Sequence, residues 1–258
     1  MLNTKKHIAP KRIISLVPSQ TELLYDLGLE EEVIGITKFC IHPNIWYRNK
    51  TRVGGVKSID IKKIIELKPD LIIANKEENV KEQIETLQPH FPVHVTDVST
   101  LAEAYNMIQT IGALTHTEQK AITLINAIKN SFTNIHLSQN EQPKKVCYLI
   151  WRNPYMSVGG DTFISNMLHH AGYKNIFDNK KRYPETTLEE INSLQPDYIF
   201  LSSEPYPFKE KHIEEIKPKI LSKPILVNGE MFTWYGSRLL KSAVYFKKLA
   251  EELLNVEG

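Results

Sequence analysis

The sequence predicts an α/β protein of two similar lobes, each built on a parallel sheet and joined by one long α-helix. Three observations carry that expectation. Short apolar, β-rich runs alternate with helical patterns along most of the chain. The stretch 59–84, IDIKKIIELKPDLIIANKEENVKEQI, returns at 187–213 as TLEEINSLQPDYIFLSSEPYPFKEKHI. Between the copies, the segment from Thr115 to Asn140 holds no Pro or Gly.

The repeat sets the organisation. Leu67-Lys68-Pro69-Asp70 comes back as Leu194-Gln195-Pro196-Asp197, a shift of 197 − 70 = 127 residues. Glu77 falls on Glu204 at the same shift, and with one inserted residue Lys81-Glu82 falls on Lys209-Glu210. The period is about half the chain, which points to two related lobes rather than a solenoid. The expected boundaries are 1–110 for the first lobe, 111–142 for the linking helix and 143–258 for the second lobe.

The totals are those of a globular protein. The 258 residues are 41% hydrophobic and 24% charged, with a formal net charge of +2. No basic stripe marks a nucleic-acid interface. No apolar run reaches the length of a membrane span. The opening MLNTKKHIAPKR carries positive charge without an apolar core, so it does not read as a secretory signal. A mature cell-envelope or periplasmic protein and a cytoplasmic one both stay open. Cys40 and Cys147 follow no metal spacing and are expected as buried or partly buried free thiols.

In chain order, Arg12–Val17 reads as a buried strand. Ser19 and Glu22 have capping-box spacing ahead of a helix from Thr21 to Leu27 that stops at Gly28. Glu32–Thr37 is a second strand and Arg52–Gly55 a turn. In the first repeat copy, Ile61, Ile64 and Ile65 mark a helix and Leu71–Ala74 a strand. Pro92–Val95 is another strand. Thr115 and Glu118 form a second capping-box pattern. A helix of about 22 residues from there is roughly 33 Å long, and its stiffness predicts little hinge motion. The second lobe opens with the strand Lys145–Trp151, and Asp161 is expected to cap the helix Phe163–His170. Pro224–Asn228 is the last inner strand, and a helix from about Leu239 to Leu254 closes the chain.

Unusual residues collect after strands, at the carboxyl edge where open α/β sheets bind ligands. Ser19, Gln20, Phe39, His42, Asn75 and Lys76 stand there in the first half. Trp151, Arg152, Tyr155, Tyr206, Glu230, Phe232, Trp234 and Tyr235 stand there in the second. Aromatic walls with a few placed polar groups are the makeup of small-molecule sites. Catalytic patterns do not appear: no G-x-S-x-G elbow, no P-loop and no H-E-x-x-H. His169-His170 are helix neighbours that face different ways, so no metal site is read there. Glu77, Glu78, Glu204 and Glu230 read as exposed charges by default.

These residues resemble a known family. The run Arg12–Glu22, the pair His42-Pro43, the block Leu67–Ala74 and the segment Glu230–Arg238 are similar to the cobalamin- and ferric-siderophore-binding substrate-binding proteins of ABC importers, the class with a single long backbone helix. The resemblance covers the chain from Arg12 on. It implies two Rossmann-like lobes and a ligand held between them, with no catalysis, no intrinsic cofactor and no resident metal. The ligand would be a corrinoid, or else a ferric siderophore or haem. It also implies an acidic residue on each lobe that docks on the importer's membrane subunits, here Glu82 and Glu210. A monomer that binds no nucleic acid is expected. The chain departs from the cobalamin binders at Asn75, where they carry an aromatic residue, and at Glu230 and Trp234, where they carry Asp and Arg. Two other readings stand beside this one: a cytoplasmic corrinoid- or metallocofactor-handling protein, and a two-lobed α/β transferase.

Overall fold

The computed structural model describes residues 8–133 and 142–257. Its contacts divide the chain into two compact units. The first takes in the chain up to Val98, Ala102–Ala127 and Tyr235–Arg238, and the second takes in Ser99–Leu101, Ile128–Trp234 and the chain from Leu239 on.

The first unit opens with β1 (Ile13–Ser15), α1 (Pro18–Asp26), β2 (Val33–Ile36), α2 (Asn44–Asn49) and β3 (Thr51–Arg52). A small antiparallel hairpin, β4 (Gly54–Gly55) and β5 (Ser58–Ile59), leads into the repeat copy. That copy is α3 (Ile61–Leu67), β6 (Leu71–Asn75) and α4 (Lys81–Leu87), followed by β7 (Val93–Thr96). The sheet order is β3-β2-β1-β6-β7 and every pairing is parallel. Burial on both faces explains the continuous apolar runs of β1 and β6. Ile14, Leu16, Ile72 and Ala74 alternate onto one face and pack with Ile64 of α3 and Ile84 and Leu87 of α4.

Two helices follow, α5 (Leu101–Leu114) and α6 (Glu118–Thr133). The first was not anticipated, although Leu101, Ala104, Ile108 and Ile111 are buried at helical spacing. The expected start of the long helix at Thr115 is corrected. Thr115 donates its hydroxyl back to Ile111 O at 2.7 Å, and His116 turns the chain at φ 56° before α6 begins. The rest of that expected helix, from 134 on, lies outside the described residues up to 141.

The second unit holds β8 (Lys144–Leu149), β9 (Tyr155–Met156), α7 (Phe163–His170), β10 (Tyr173–Asn175) and β11 (Glu185–Thr186). The second repeat copy follows as α8 (Leu188–Leu194), β12 (Tyr198–Ser202) and α9 (Glu210–Ile216). Then come β13 (Lys223–Val227), the short α10 (Glu230–Thr233) and α11 (Leu239–Glu257). The main sheet is parallel in the order β10-β8-β12-β13, and β11 pairs antiparallel with β9. Cys147, Leu149, Ile199 and Leu201 face Ile191 of α8 and Ile216 of α9, repeating the arrangement of the first unit. The opposite face is aromatic. Phe232 lies 4.7 Å from Phe246 and 5.2 Å from Tyr148, ring centre to ring centre.

The two repeat copies share backbone detail. α3 is capped by Asp60, which accepts from Lys63 N at 3.0 Å, and α8 by Thr187, which accepts from Glu190 N at 3.2 Å. Both end in a left-handed residue, Lys68 at φ 46° and Gln195 at φ 50°. Asp70 then accepts from Lys11 N at 2.7 Å and Arg12 N at 2.9 Å, and Asp197 accepts from Lys145 N at 2.6 Å.

Two expected caps are replaced. Ser19 does not cap the first helix, which starts at Pro18 with Val17 before it and no side-chain cap. A proline at the first turn needs no N–H partner there. Glu22, freed from that role, forms a buried ion pair with Arg238, with Nε and the second guanidinium nitrogen at 2.6 and 2.8 Å from its two oxygens. The side chains are only 5% and 8% exposed. α7 is capped by Thr162, not Asp161, which instead accepts from Arg182 N at 2.6 Å.

Arg238→Met strands a buried carboxylate and is expected to destabilise the first unit by about 3–5 kcal/mol. Urea unfolding followed by Trp46 in a Trp151→Phe, Trp234→Phe background reads this, and a shift below about 1 kcal/mol contradicts the pair's role. Cys40 and Cys147 are both buried, and burial pushes the Cys147 thiol up to about 12. The thiolate is the reactive form. Native protein at pH 8 is therefore expected to resist a disulfide reagent that labels both thiols in denaturant. Fast labelling of the native chain contradicts this packing.

Candidate functional site

The carboxyl ends of the strands carry the candidate residues in each unit, and the structure sorts them sharply by burial. In the first unit, Ser19 and Gln20 lie inside the first turns of α1 and are buried. Gln20 donates to the Thr96 hydroxyl at 2.5 Å. The Tyr235 phenol reaches the same place beside Gln20 and Ser19, and burial holds its hydroxyl well above the usual tyrosine range. Gly236, at φ 112°, would bring a Cβ to 3.3 Å from Leu23 and 3.4 Å from Ser19 O. A side chain there would strain both the turn and this contact.

Asn75, at the end of β6, organises its own loop. Its oxygen accepts from Glu77 N at 2.9 Å and Glu78 N at 3.1 Å, and its amide donates to Thr96 O at 3.0 Å. It is 2% exposed, so its polar atoms are spent on the fold. Lys76 is exposed and paired with Asp97 at 2.6 Å. His42 is half-buried, ahead of a cis bond to Pro43.

Phe39 is the open candidate of this unit, 50% exposed, with Lys38 Nζ 5.2 Å from its ring centre. Ile41 and Ile45 are exposed in the same loop and helix start. Sequence reasoning passed over both. The signal was an apolar cluster, 39–45, placed after a strand where a plain connection would be polar. Glu78 also departs from the exposed default: burial raises its carboxyl, with the Lys57 charge opposing.

In the second unit, Phe232 belongs to the aromatic core and is fully buried, so it has no open face for a ligand wall. Trp234 is buried too, and its indole N–H donates to Glu204 at 2.9 Å. The Thr233 hydroxyl donates to the same carboxylate oxygen, so Glu204 is a structural acceptor rather than a free surface charge. Glu230 opens α10 half-buried, with its N–H on Asn228 Oδ1 at 3.1 Å.

The open set of this unit is Trp151, Arg152, Tyr155 and Tyr206. Trp151 is 41% exposed and meets Tyr206 edge-on at 5.6 Å. Arg152 is ion-paired with Glu215 of α9, and that contact holds the Glu215 carboxyl below its usual range. The Tyr155 and Tyr206 hydroxyls lie beside the same guanidinium, and burial raises that of Tyr155. The set offers two aromatic faces and a fixed cation, suited to a flat or bulky ligand with oxygen atoms on its rim. Among the described residues, no group of three or more His, Cys, Asp or Glu is placed to hold a metal.

Glu82 and Glu210 are both exposed, in the first turns of α4 and α9. Each helix follows the repeated strand of its unit, so the two carboxylates occupy equivalent places in the two copies.

A family model described as periplasmic binding protein matches residues 13–228. The ABC transporter substrate-binding lipoprotein YvrC of Bacillus subtilis is 28% identical over 261 residues, which cover 95% of this chain and 80% of that protein. A vitamin B12-binding protein of Vibrio parahaemolyticus is 26% identical over 195 residues, 74% of this chain and 70% of that protein. Among solved structures, a periplasmic solute-binding protein from Staphylococcus epidermidis, titled a possible iron-binding protein, superposes with a TM-score of 0.81 at 26% identity. The match covers 95% of this chain and 99% of that one. With its parallel sheets, its internal repeat and a match over most of its length, the chain belongs to the periplasmic binding protein family.

Proposed function

We propose that this chain is the substrate-binding protein of an ABC importer at the cell envelope and that it carries a metal chelate, a corrinoid first and a ferric siderophore or haem second. The observation that supports this most is the likeness to a vitamin B12-binding protein over three quarters of the chain. The open aromatic and basic residues at the strand ends agree with it. Trp151, Tyr206 and Tyr155 supply apolar contact, Arg152 a fixed positive charge, and Phe39, Ile41 and Ile45 the apolar surface of the first unit. Phe232, Trp234, Gln20 and Asn75 act behind these surfaces by holding the loops in shape. The protein binds and releases its ligand without chemistry.

Glu82 and Glu210 are proposed as the docking pair for the membrane subunits. Exposed ion pairs contribute about 0–1 kcal/mol each, so docking needs both carboxylates and the shape around them. No described helix is long and apolar enough to cross a membrane.

Titration with cyanocobalamin is expected to quench tryptophan emission saturably at micromolar concentration or below. Trp151→Ala should lose most of that signal and Trp46→Phe should keep it, because Trp46 is on the buried side of α2. Saturable binding of haemin or a ferric siderophore with no response to cyanocobalamin would move the ligand to the second class. Binding of none of the three contradicts the proposal. Glu82→Ala with Glu210→Ala is expected to leave the ligand dissociation constant unchanged and to abolish ligand uptake by cells. Normal uptake by the double variant removes the docking role.

A further inference from the structure

His212 is buried at 4% exposure near the start of α9, although nothing about its place in the sequence marks it. Its Nδ1 accepts the Lys209 backbone N–H at 2.9 Å. Its Nε2 lies 3.3 Å from the Tyr206 hydroxyl. Phe208 and Tyr206 hold the ring at centre distances of 5.6 and 5.5 Å. A neutral imidazole has one donor and one acceptor nitrogen. Since Nδ1 is committed as acceptor, Nε2 carries the proton and donates to Tyr206. The tautomer is fixed by a backbone group.

The consequence falls on Tyr206. Its oxygen accepts from His212 and lies beside the Arg152 guanidinium, which has donors only. The Tyr206 proton is therefore left to donate elsewhere. Arg152 Nε has no hydrogen-bond partner, so donors outnumber acceptors around this phenol. Trp151 packs against the same ring.

We propose that His212 is a positioning residue whose fixed Nε2–H tautomer turns the Tyr206 hydroxyl into a hydrogen-bond donor for an oxygen acceptor on the ligand, a carboxylate or amide carbonyl. This rests on the ligand-binding reading above and adds to it the chemistry of the ligand's rim. The charged groups facing the imidazole are Lys209, Lys211 and Glu215 from its own helix segment and Arg152 from the loop after β8. Burial, followed by the Lys211 and Arg152 charges, lowers the imidazole below its ordinary 6.5. At neutral pH it is uncharged and the donor is in place. Protonation puts a hydrogen on Nδ1, removes the acceptor for Lys209 N–H and disturbs the Tyr206 contact. Affinity is therefore held at neutral pH and lost as pH falls below 6.5 through the value of the folded protein.

Nitrogen-15 NMR of the histidine-labelled full chain at pH 7.5 is expected to show His212 protonated on Nε2, both in the wild type and in Tyr206→Phe. An Nδ1-protonated ring or an imidazolium overturns the proposal whether or not a ligand binds. With haemin and cyanocobalamin as probes, His212→Phe and Tyr206→Phe are each expected to weaken binding about fivefold, the worth of one neutral hydrogen bond. The double variant should be no weaker than either single one. The wild type should lose affinity below pH 6.5, and His212→Phe should not. Additive losses, or an unchanged pH profile in His212→Phe, overturn the coupling. If the wild type binds neither probe nor a ferric siderophore, the ligand reading falls and the donor loses its assignment to these ligands, while the tautomer still decides the positioning half.

Discussion

Two aspartates hold the amino edges of the two sheets, and the placement of everything at the opposite edges depends on them. Asp70 takes the backbone N–H groups of Lys11 and Arg12, and Asp70 N returns a bond to Arg12 O at 3.0 Å. Asp197 takes Lys145 N, and its own N–H donates to Lys145 O at 2.8 Å. Each clamp joins the turn before a repeated strand to the start of the neighbouring strand. The register Ile13↔Leu71 in one sheet and Tyr198↔Val146 in the other follows directly behind it. A slip of one residue would exchange the two faces of a strand. It would send Ile72 and Ala74, or Ile199 and Leu201, away from the helices they pack against. With register fixed, β6 ends at Asn75 and β12 at Ser202, and the loops that follow carry the candidate ligand contacts.

The loops are held by buried polar atoms rather than by the residues that would meet a ligand. Asn75 ties the turn after β6 to its own strand end and to Thr96. Glu204 does comparable work in the second unit by taking the Thr233 hydroxyl and the Trp234 indole. Glu22 and Arg238 fasten the Tyr235–Arg238 segment to α1 within the first unit. Rigid support of this kind leaves Trp151 and Phe39 exposed and Arg152 half-buried, each held in position, which would lower the entropy lost on binding.

Much of this was legible in the sequence, for reasons that differ between residues. The repeat was readable because the turn Leu67–Asp70 and its copy Leu194–Asp197 must repeat a left-handed residue, a proline and a clamping aspartate. Strand cores were readable because parallel sheets bury both faces. Caps were read less well. Ser19 with Glu22 matched a capping-box spacing, but Glu22 has a partner 216 residues away, and no local pattern shows that. Candidate contacts suffered from the same limit. Phe232 and Trp234 stand after a strand like Trp151, yet both are buried: Phe232 joins the aromatic layer of Tyr148, Phe200 and Phe246, assembled from distant segments, and Trp234 donates to Glu204, 30 residues earlier. Ile41 and Ile45 were missed because an isolated isoleucine ordinarily belongs to a core. His212 gave no sign, since its role comes from one backbone N–H and one phenol brought together by the turn before α9.

Under the proposed function, the carboxyl edge of the sheet in each unit meets the ligand, while the amino edge holds the fold. Hydrogen exchange of the full chain with and without saturating cyanocobalamin or haemin tests it directly. Added protection is expected in 39–46, 151–155 and around Tyr206, with no change at the turns 67–70 and 194–197. Protection confined to those amino-edge turns, or no change anywhere under saturating ligand, would contradict it.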